Sequence, residues 1–402
     1  MGLEGKNVLV GVSGSISAYK ACDLVQRLKD EGARVRVIMT PSAAKLIHPN
    51  TFATLTGWRV PTDGWSGVDS GAMDHIESAR WADLFVIAPC TAHTLAEFAH
   101  GLTGSLLSLV YLVRAGSAYI APAMNPTMLD APATRRNLAL LAGKGDVILP
   151  TGEGILACGE EGHGKLLEPA HIIAYLKTHQ ALGQPPPSMQ GKRVLIGLGH
   201  TREKWDDVRF LSNRSSGRTG LALARAFHLA GAEVSAVVGN TDEAVTPGFQ
   251  AVRASSSEDI RREMLARQDG ADVVIMAAAV ADFVPARTHQ GKQKDSKSLS
   301  NMELKPFPNV LLEMGGRKRE GQILVGFALE TADPLAHARA KMAERNCDLM
   351  VVNNPVAADT GFGRARVLAA VLDGVNPPAL AEWDKDDLAA AVVRAVAARM
   401  GP

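Results

Sequence analysis

The fold is decided by a stretch that occurs twice in the chain, as GKNVLVG at residues 5–11 and as GKRVLIG at residues 191–197. In both copies a short run of apolar residues ends at a glycine and leads into a loop and then a helix. A continuous apolar run of this length is typical of a strand that is buried on both faces of a parallel sheet. Each copy therefore predicts the first strand of an α/β domain.

A proline-rich segment, GQPPPS at residues 183–188, lies between the two copies. Consecutive prolines fit neither a helix interior nor a central strand, so the segment predicts an extended linker. A chain of 402 residues is also long enough for more than one domain. We therefore expect a first domain over residues 1–182, a linker over 183–190 and a second domain over 191–402.

Apolar strand candidates alternate with amphipathic helices in both halves. They lie at 34–39, 84–88, 118–121 and 147–149 in the first half, and at 233–238, 272–277, 323–327 and 349–352 in the second. This alternation predicts two doubly wound, Rossmann-like α/β domains with parallel sheets. Because ligands bind beyond the carboxyl ends of such strands, functional residues are expected in the loops that follow them.

The composition narrows the class of protein. Hydrophobic residues make up 46%, charged residues 21%, and the net charge is +1, which is typical of globular proteins without nucleic-acid or membrane partners. The four cysteines form no CxxC pair, which argues against a zinc site or disulfide framework. The longest apolar stretch, 106–124, is interrupted by Arg114, Gly116 and Pro122, so we expect a buried helix and strand there. Together these features predict a cytoplasmic protein.

Small and hydroxylated residues follow the first strand, as SGSIS at 13–17, ahead of a helix predicted from residue 18. Backbone N–H groups, hydroxyls and the helix dipole at such a position suit a phosphate. Three other segments carry reactive groups: His75 precedes a helix, Asn125 ends PAMN at 122–125, and Cys158 lies in the glycine-rich ACGEEGHG at 157–164. Together these residues offer a base, a carboxylate anchor and a proton donor.

With APCTA at 88–92, these motifs resemble the flavin-containing cysteine decarboxylases, and in particular the phosphopantothenoylcysteine decarboxylases, over the first half. The resemblance implies a flavodoxin-like fold and an FMN cofactor. It implies that His75 is the active-site base, that Asn125 holds the substrate carboxylate and that Cys158 returns a proton. It also implies a set of cofactor contacts, namely Ser13, Gly14, Ser15, Thr40, Pro89, Thr91, Ala92 and Met124.

The second half carries its own polar motifs after its strands. In VRFLSNRSSGRTG, at 208–220, the Ser-Ser-Gly step opens a helix and predicts a second anion site with arginines nearby. A GxGxxG fingerprint directly after the strand is absent, which argues against a dinucleotide-dependent oxidoreductase. The remaining motifs are TRE at 201–203, AAAVADF at 277–283, KQK at 292–294 and GFALET at 326–331.

These motifs resemble the phosphopantothenate–cysteine ligases, and the order of the two halves resembles the bifunctional decarboxylase–ligase proteins of coenzyme A biosynthesis. The resemblance implies CTP as co-substrate and Mg2+ or Mn2+ as the metal, with no metal ligands assigned. It implies that Lys292 balances charge as pyrophosphate leaves and that Asn213 acts in the turnover of an acyl intermediate. The other implied nucleotide contacts are Ser215, Ser216, Gly217, Ala279, Asp282, Phe327 and Lys341.

Three alternatives stay open. The first half could act on another thiol substrate, as peptide cysteine decarboxylases do, whereas a flavin prenyltransferase is disfavoured by the set His75, Asn125 and Cys158. The ligase half could be degenerate. The protein could also be a non-catalytic binding module like the phosphatase-inhibiting eukaryotic flavoproteins, although it lacks their long acidic tail.

The expected partners are small molecules, namely 4'-phosphopantothenate, cysteine and CTP. The resemblance further implies a homo-oligomer, with trimeric decarboxylase and dimeric ligase units and up to twelve chains.

Overall fold

The computed structural model describes residues 2–62, 74–155, 159, 161–294, 302–354, 366–374 and 379–401. The chain divides into two compact units, Gly2–Lys177 and Thr178–Pro402. The division falls inside the helix Pro169–Leu182. The domain boundary predicted at residues 182 and 183 lies at the end of this helix and remains a prediction.

The first unit contains a five-stranded parallel sheet. Its strands are β1 (Asn7–Val12), β2 (Arg34–Met39), β3 (Leu84–Cys90), β4 (Ala118–Pro122) and β5 (Val147–Ile148). Their order across the sheet is β2-β1-β3-β4-β5, which confirms the predicted flavodoxin-like fold. β2 and β3 lie on opposite sides of β1, so the strand order reverses between β1 and β3.

Nine helices are described along this part of the chain: α1 (Lys20–Asp30), α2 (Pro41–Ala44), α3 (Pro49–Thr56), α4 (Asp74–Trp81), α5 (Ala92–His100), α6 (Leu106–Val113), α7 (Pro126–Asp130), α8 (Pro132–Gly143) and α9 (Pro169–Leu182). A 3-10 turn, Ile16–Tyr19, precedes α1, so the helix predicted from residue 18 begins as a tighter turn. The apolar stretch 106–124 forms α6 and β4, as predicted. β4 is buried throughout, and α6 is mostly buried, although Leu112 and Val113 at its end are exposed.

A hairpin forms where the sequence predicted only a glycine-rich loop. Its strands, β6 (Gly152–Ile155) and β7 (Glu161–Lys165), pair antiparallel outside the main sheet. Glycine is depleted in strands, which is why the propensity of the segment did not indicate pairing. The glycines instead permit close backbone approach, since a Cβ at Gly162 would lie 3.1 Å from a side-chain carbon of Pro126.

Asp146 is the centre of a buried polar cluster in the first unit. Its carboxylate accepts hydrogen bonds from the Tyr111 hydroxyl at 2.6 Å, from the Ala118 N–H at 2.9 Å and from the Arg114 guanidinium. Burial, and then the hydrogen bond to Asp146, raise the pKa of Tyr111 well above its ordinary value. The carboxylate therefore satisfies three donors that would otherwise be buried without partners.

Asp146→Ala is expected to destabilise the first unit by about 3–5 kcal/mol, because it leaves the Arg114 charge unpaired inside the protein. Peptide-resolved hydrogen exchange in increasing urea would measure this loss separately from the second unit. Asp23→Ala is the matched control, since Asp23 forms a half-exposed pair with Arg27 at 2.9 Å and should contribute no more than about 1 kcal/mol. Equal effects of the two substitutions would contradict the prediction.

Eight strands of the second unit form one sheet, in the order β12-β11-β8-β13-β16-β17-β18-β19. They are β8 (Arg193–Leu198), β11 (Glu233–Val238), β12 (Gln250–Arg253), β13 (Val273–Met276), β16 (Ile323–Leu329), β17 (Leu349–Asn354), β18 (Arg366–Leu372) and β19 (Ala381–Asp384). The first six in this order are parallel, in the Rossmann-like arrangement that the sequence predicted. β18 and β19 are antiparallel additions that it did not predict.

Two small antiparallel pairs form separate sheets: β9 (Arg202–Lys204) with β10 (Phe210–Ser212), and β14 (Phe283–Pro285) with β15 (Leu304–Pro306). The helices described between residue 191 and the end of the chain are α10 (Arg218–Leu229), α11 (Ser257–Gln268), α12 (Val310–Gly316), α13 (Pro334–Glu344) and α14 (Lys385–Met400). α10 and α14 share one hydrophobic core with one face of the sheet, and α11, α12 and α13 share the other.

The linker predicted as extended contains a 3-10 turn at Pro187–Met189, whose Met189 is fully buried. Burial of this side chain favours the turn over an extended path. Over the ranges that the structure describes, no helix combines the length and apolarity that a membrane crossing requires.

Candidate active sites

The first candidate site lies where the carboxyl ends of β1 and β3 adjoin. Ser13 follows β1 and is fully buried. Its hydroxyl donates to the Pro89 carbonyl at 2.8 Å and accepts from the Thr91 N–H at 3.0 Å. Ser13 therefore ties the two loops together, and its hydroxyl is occupied within the protein.

Gly14 and Ser15 continue the loop after β1. A Cβ at Gly14 would lie 2.6 Å from that of Ser42, so the close approach of these two segments requires glycine. Ser15 caps the 3-10 turn, and its hydroxyl lies 2.9 Å from that of Ser17. The narrow turn and the two part-buried hydroxyls fit the phosphate of a flavin nucleotide.

Thr40 and Thr91 are the N-caps of the helices that follow β2 and β3. Each threonine hydroxyl accepts the backbone N–H three residues ahead, at 3.2 Å and 3.4 Å respectively. Pro89 lies within β3, and Ala92 is the first residue of α5. The structure therefore places all of these predicted cofactor contacts at the carboxyl ends of adjacent strands.

Asn125 caps α7, and its Oδ1 accepts the Thr127 N–H at 2.8 Å. The preceding Met124 donates its N–H to the Gly164 carbonyl at 3.0 Å. Gly164 has φ 110°, and a Cβ there would lie 2.3 Å from the Met124 carbonyl oxygen. Glycine at this position lets the hairpin of β6 and β7 lie directly against the segment that carries Asn125.

His75 lies in the first turn of α4 and is half-buried. The sequence predicted it ahead of a helix, but α4 already begins at Asp74, so the histidine is part of the helix. Cys158 lies outside the described residues. The grouping of His75, Asn125 and Cys158 therefore remains a prediction.

An arginine between two tryptophans holds α4 in place, which the sequence did not indicate. The Arg36 guanidinium, on β2, lies 4.4 Å from the ring centre of Trp81 on α4 and 4.1 Å from that of Trp58. Such cation–π contacts fix α4 against β2, and with it the backbone of His75.

The second candidate site is a cleft of about 690 Å³ at the carboxyl ends of the second sheet. The order of strands reverses between β8 and β13, where ligands of such sheets bind. Asn213, predicted to act in turnover of the acyl intermediate, lines this cleft. So do the predicted nucleotide contacts other than Lys292, namely Ser215, Ser216, Gly217, Ala279, Asp282, Phe327 and Lys341.

The start of α10 borders the cleft. Gly217 is its N-cap, with φ 77°, and a Cβ there would lie 2.5 Å from the methyl group of Thr241. A Cβ on Gly220 would lie 2.4 Å from that of Leu198, so α10 packs directly on β8. Backbone N–H groups in the first turn of a helix have no acceptor within the helix itself, which is why a helix start of this kind is suited to bind an anion.

Asn213 joins two of the loops that line the cleft. Its Nδ2 donates to the carbonyls of Ala279 at 3.3 Å and Val280 at 3.1 Å. The amide therefore couples the loop after β10 to the loop after β13, on which Asp282 also lies.

A buried network supports the same loop and explains the TRE motif. Glu203 accepts from the N–H and the hydroxyl of Ser257 at 2.9 Å and 2.7 Å. The Ala281 N–H lies 3.2 Å from the Ser257 hydroxyl and 3.3 Å from that of Thr201. These hydrogen bonds hold the loop after β13 in position.

Cationic side chains outnumber acidic ones in the described lining of the cleft. Among its described lining residues the only acid is Asp282, whereas the cations are Arg214, Arg218, Lys341, Arg345 and Lys385. Lys341 is paired with Glu330. A surface of this charge is suited to a ligand with several negative charges.

Arg345 and Lys385 were missed because no motif surrounds either residue, and only tertiary packing brings them to the cleft. Lys292, in contrast, was predicted from its motif but does not line the cleft. It is exposed to solvent. Its neighbours Gly291 and Gln293 donate to Asp207 and Asp206.

Comparison with known proteins gave consistent matches over both units. The Flavoprotein family matches residues 2–180, and the DNA/pantothenate metabolism flavoprotein C-terminal domain matches residues 189–400. The chain is 41% identical over 362 residues to the coenzyme A biosynthesis bifunctional protein CoaBC of Bacillus subtilis (strain 168), covering 90% of this chain and 89% of that protein. It is 34% identical over 400 residues to the CoaBC protein of Vibrio cholerae, covering 99% of each.

Among solved structures, the chain is similar to the crystal structure of the C-terminal domain of a CoaBC protein. The sequence identity is 30%, the TM-score is 0.45, and the match covers 53% of this chain and 97% of that domain.

Proposed function

Because the chain belongs to the family of coenzyme A biosynthesis bifunctional proteins and is a decarboxylase and ligase, we propose one reaction for each half of the chain. The second unit joins 4'-phosphopantothenate to cysteine with CTP. The first unit then decarboxylates 4'-phosphopantothenoylcysteine to 4'-phosphopantetheine with FMN. The observation that carries the proposal is the cleft of the second unit, which combines a helix start, five cationic residues and one acid.

In the ligase reaction, the carboxylate of 4'-phosphopantothenate attacks the α-phosphate of CTP and releases pyrophosphate. The amine of cysteine then displaces CMP from the acyl cytidylate. Negative charge accumulates as pyrophosphate leaves, so nearby cations lower the barrier. We assign the stabilisation of this charge to the cations that line the cleft and to the exposed Lys292. We assign to Asn213 the role of holding the loops in the arrangement in which the acyl intermediate reacts with cysteine.

The proposed Mg2+ or Mn2+ fits best as an ion that is carried by the triphosphate. In the part of the chain that the structure describes, no group of three His, Cys, Asp or Glu side chains could hold a metal. Asp282 is the one acid that lines the cleft among these residues. Magnesium in nucleotide sites is commonly bound by phosphates, waters and one or two carboxylates.

In the decarboxylase reaction, FMN when bound supplies a two-electron acceptor that is restored at the end of the cycle. The substrate needs this oxidation because direct loss of CO2 would leave an unstabilised carbanion. Two-electron oxidation of the CH2–SH group of the cysteine unit would give a thioaldehyde, in which the carboxylate lies β to C=S, so electrons move into sulfur as CO2 leaves. The resulting enethiolate would then take up a proton and regain the two electrons, which gives the saturated thiol of the product. We assign to His75 the removal of the proton of the substrate thiol, and to Asn125 the binding of the substrate carboxylate. We assign to Cys158 the protonation that follows the loss of CO2.

The experiment that tests both reactions uses the full-length protein with 4'-phosphopantothenate and carboxyl-labelled cysteine. We expect CTP to be required for release of pyrophosphate and of labelled CO2, and 4'-phosphopantothenoylcysteine supplied directly to lose CO2 without CTP. Loss of CO2 from this direct substrate without pyrophosphate from CTP would identify a degenerate ligase half. A purified protein without flavin absorbance would contradict the proposed decarboxylase.

Homo-oligomeric assembly, with trimeric decarboxylase units and dimeric ligase units, remains a prediction from the family. The expected cytoplasmic location also remains a prediction.

A further inference from the structure

Asn353 lies on β17 and lines the cleft of the second unit. Because successive side chains of a strand point to opposite faces of the sheet, Asn353 lies on the same face as Val351. That face is apolar at this point, since Val351, Val367 on β18 and Leu388 on α14 belong to one hydrophobic core and also line the cleft. Asn353 therefore places an amide group at the border of an apolar part of the cleft.

The oxygen of this amide has no hydrogen-bond donor in the part of the chain that the structure describes. Asn353 Oδ1 is buried and unpaired there, whereas the backbone carbonyl of the same residue accepts the Glu330 N–H at 3.0 Å. Lys341, which also lines the cleft, is paired with Glu330 instead. Buried polar atoms nearly always have a partner, so we expect the amide oxygen to be paired when the cleft is occupied.

The partner of Asn353 Oδ1 has to be a hydrogen-bond donor. This requirement excludes the phosphate groups of both phosphorylated substrates, because ionised phosphate oxygens only accept. The cationic residues of the cleft are suited to those phosphates instead. N–H donors remain in the amino group of cytosine, in the amide of 4'-phosphopantothenate and in the amine of cysteine.

We propose that Asn353 Oδ1 accepts a hydrogen bond from an N–H group of a ligase substrate, an inference that rests on the proposed function of the second unit. β16 lies between β13 and β17, so β17 is about 10 Å from β13, whose following loop carries Asp282. Asn353 and Asp282 are therefore placed to contact different parts of the bound substrates. The cations of the cleft hold the phosphates, and Asn353 orients an uncharged N–H group beside the apolar surface.

In the full-length protein, Asn353→Leu is expected to raise the KM of one ligase substrate about 5- to 100-fold. Leucine has a similar volume, but it leaves the N–H group of the substrate buried without an acceptor. Asn354→Leu is the matched control, because it makes the same substitution at the next residue of β17, which is not among the described residues that line the cleft. This control should leave the KM of every substrate unchanged.

Three arms of the experiment distinguish the source of the N–H group. A higher KM for CTP would assign it to the cytosine amino group, and Asn353→Leu should then no longer distinguish CTP from its pyrimidin-2-one analogue, which lacks that group. A higher KM for 4'-phosphopantothenate would assign it to the amide of that substrate, and a higher KM for cysteine to its amine. Each of these results supports the proposal. An unchanged KM for all three substrates would overturn it and would leave water as the partner of Asn353 Oδ1.

Thermal unfolding provides a second test that needs no turnover. We expect the Tm of unliganded Asn353→Leu to be no lower than that of the wild type, because a buried acceptor without a partner has been removed. The rise in Tm caused by one of the three substrates should be smaller in the variant. A lower unliganded Tm with an undiminished ligand-induced rise would show a purely structural asparagine.

The thermal test also separates the inference from the proposed function. It judges the role of Asn353 even if the chain makes no pyrophosphate from CTP, because it compares binding alone. If none of the three substrates raises the Tm of the wild-type protein, the proposed function of the second unit and the inference fall together. If the wild type is stabilised and Asn353→Leu is stabilised equally, only the inference falls.

Discussion

His75→Asn is expected to lower the rate of CO2 release from 4'-phosphopantothenoylcysteine by about 100- to 10,000-fold, while the ligase reaction of the same chain is unchanged. Asparagine is polar and of similar reach, and it is tolerated in the first turn of α4, but it cannot take up a proton. The fold of α4 is held separately by Trp81 against Arg36, so the substitution removes the base without releasing the helix. Steady-state release of labelled CO2 would measure the loss.

His48→Asn is the matched control for this substitution. His48 is exposed and caps α3, with its Nδ1 accepting the Asn50 N–H at 3.2 Å. Asparagine is a strong N-cap residue, so this variant should keep both activities. If His75→Asn releases CO2 at the wild-type rate, His75 is not the base of the reaction. Loss of both the decarboxylase and the ligase activity would indicate a folding defect.

Most of the parallel strands could be predicted from the sequence because they are rich in apolar residues, as buried parallel strands require. The parallel strand β12 (Gln250–Arg253) was not predicted, because only Ala251 and Val252 in it are apolar. The ends of β2 and β11 were predicted to the residue. The positions of the sites followed from the same reasoning, since the loops after adjacent strands must share one edge of the sheet. Gly14, Thr91 and Asn213 therefore lie at the predicted edges.

Other features depend on tertiary packing that no local pattern reports. The hairpin of β6 and β7 is glycine-rich and pairs because it lies against the segment of Met124. β18 and β19 add antiparallel strands after the parallel pattern has ended. Lys385 reaches the cleft only because α14 packs on α10, whereas Lys292 was correctly recognised as part of a motif but lies outside the lining.

Asn213→Asp is expected to lower the ligase rate by about 100-fold or more, because small displacements of the residues that position substrates have effects of that size. The Asn213 amide donates to two carbonyl oxygens, those of Ala279 and Val280. A carboxylate would instead face both oxygens with an acceptor and repel them. The loops after β10 and β13 would separate, and Asp282 would move with the second. Pyrophosphate release from CTP would measure the loss, and decarboxylation by the same chain should be unaffected.

Because the cleft is expected to bind anions, the effect of the added negative charge on activity must be distinguished from the effect of the lost hydrogen bonds. Asn309→Asp adds the same charge to the same cleft. The Asn309 side chain accepts the Leu312 N–H at 3.0 Å as the cap of α12, and an aspartate can do the same. The difference between the two variants therefore isolates the bridge made by Asn213. If both variants lose activity equally, charge alone explains the loss, and Asn213 has no role in holding the loops together.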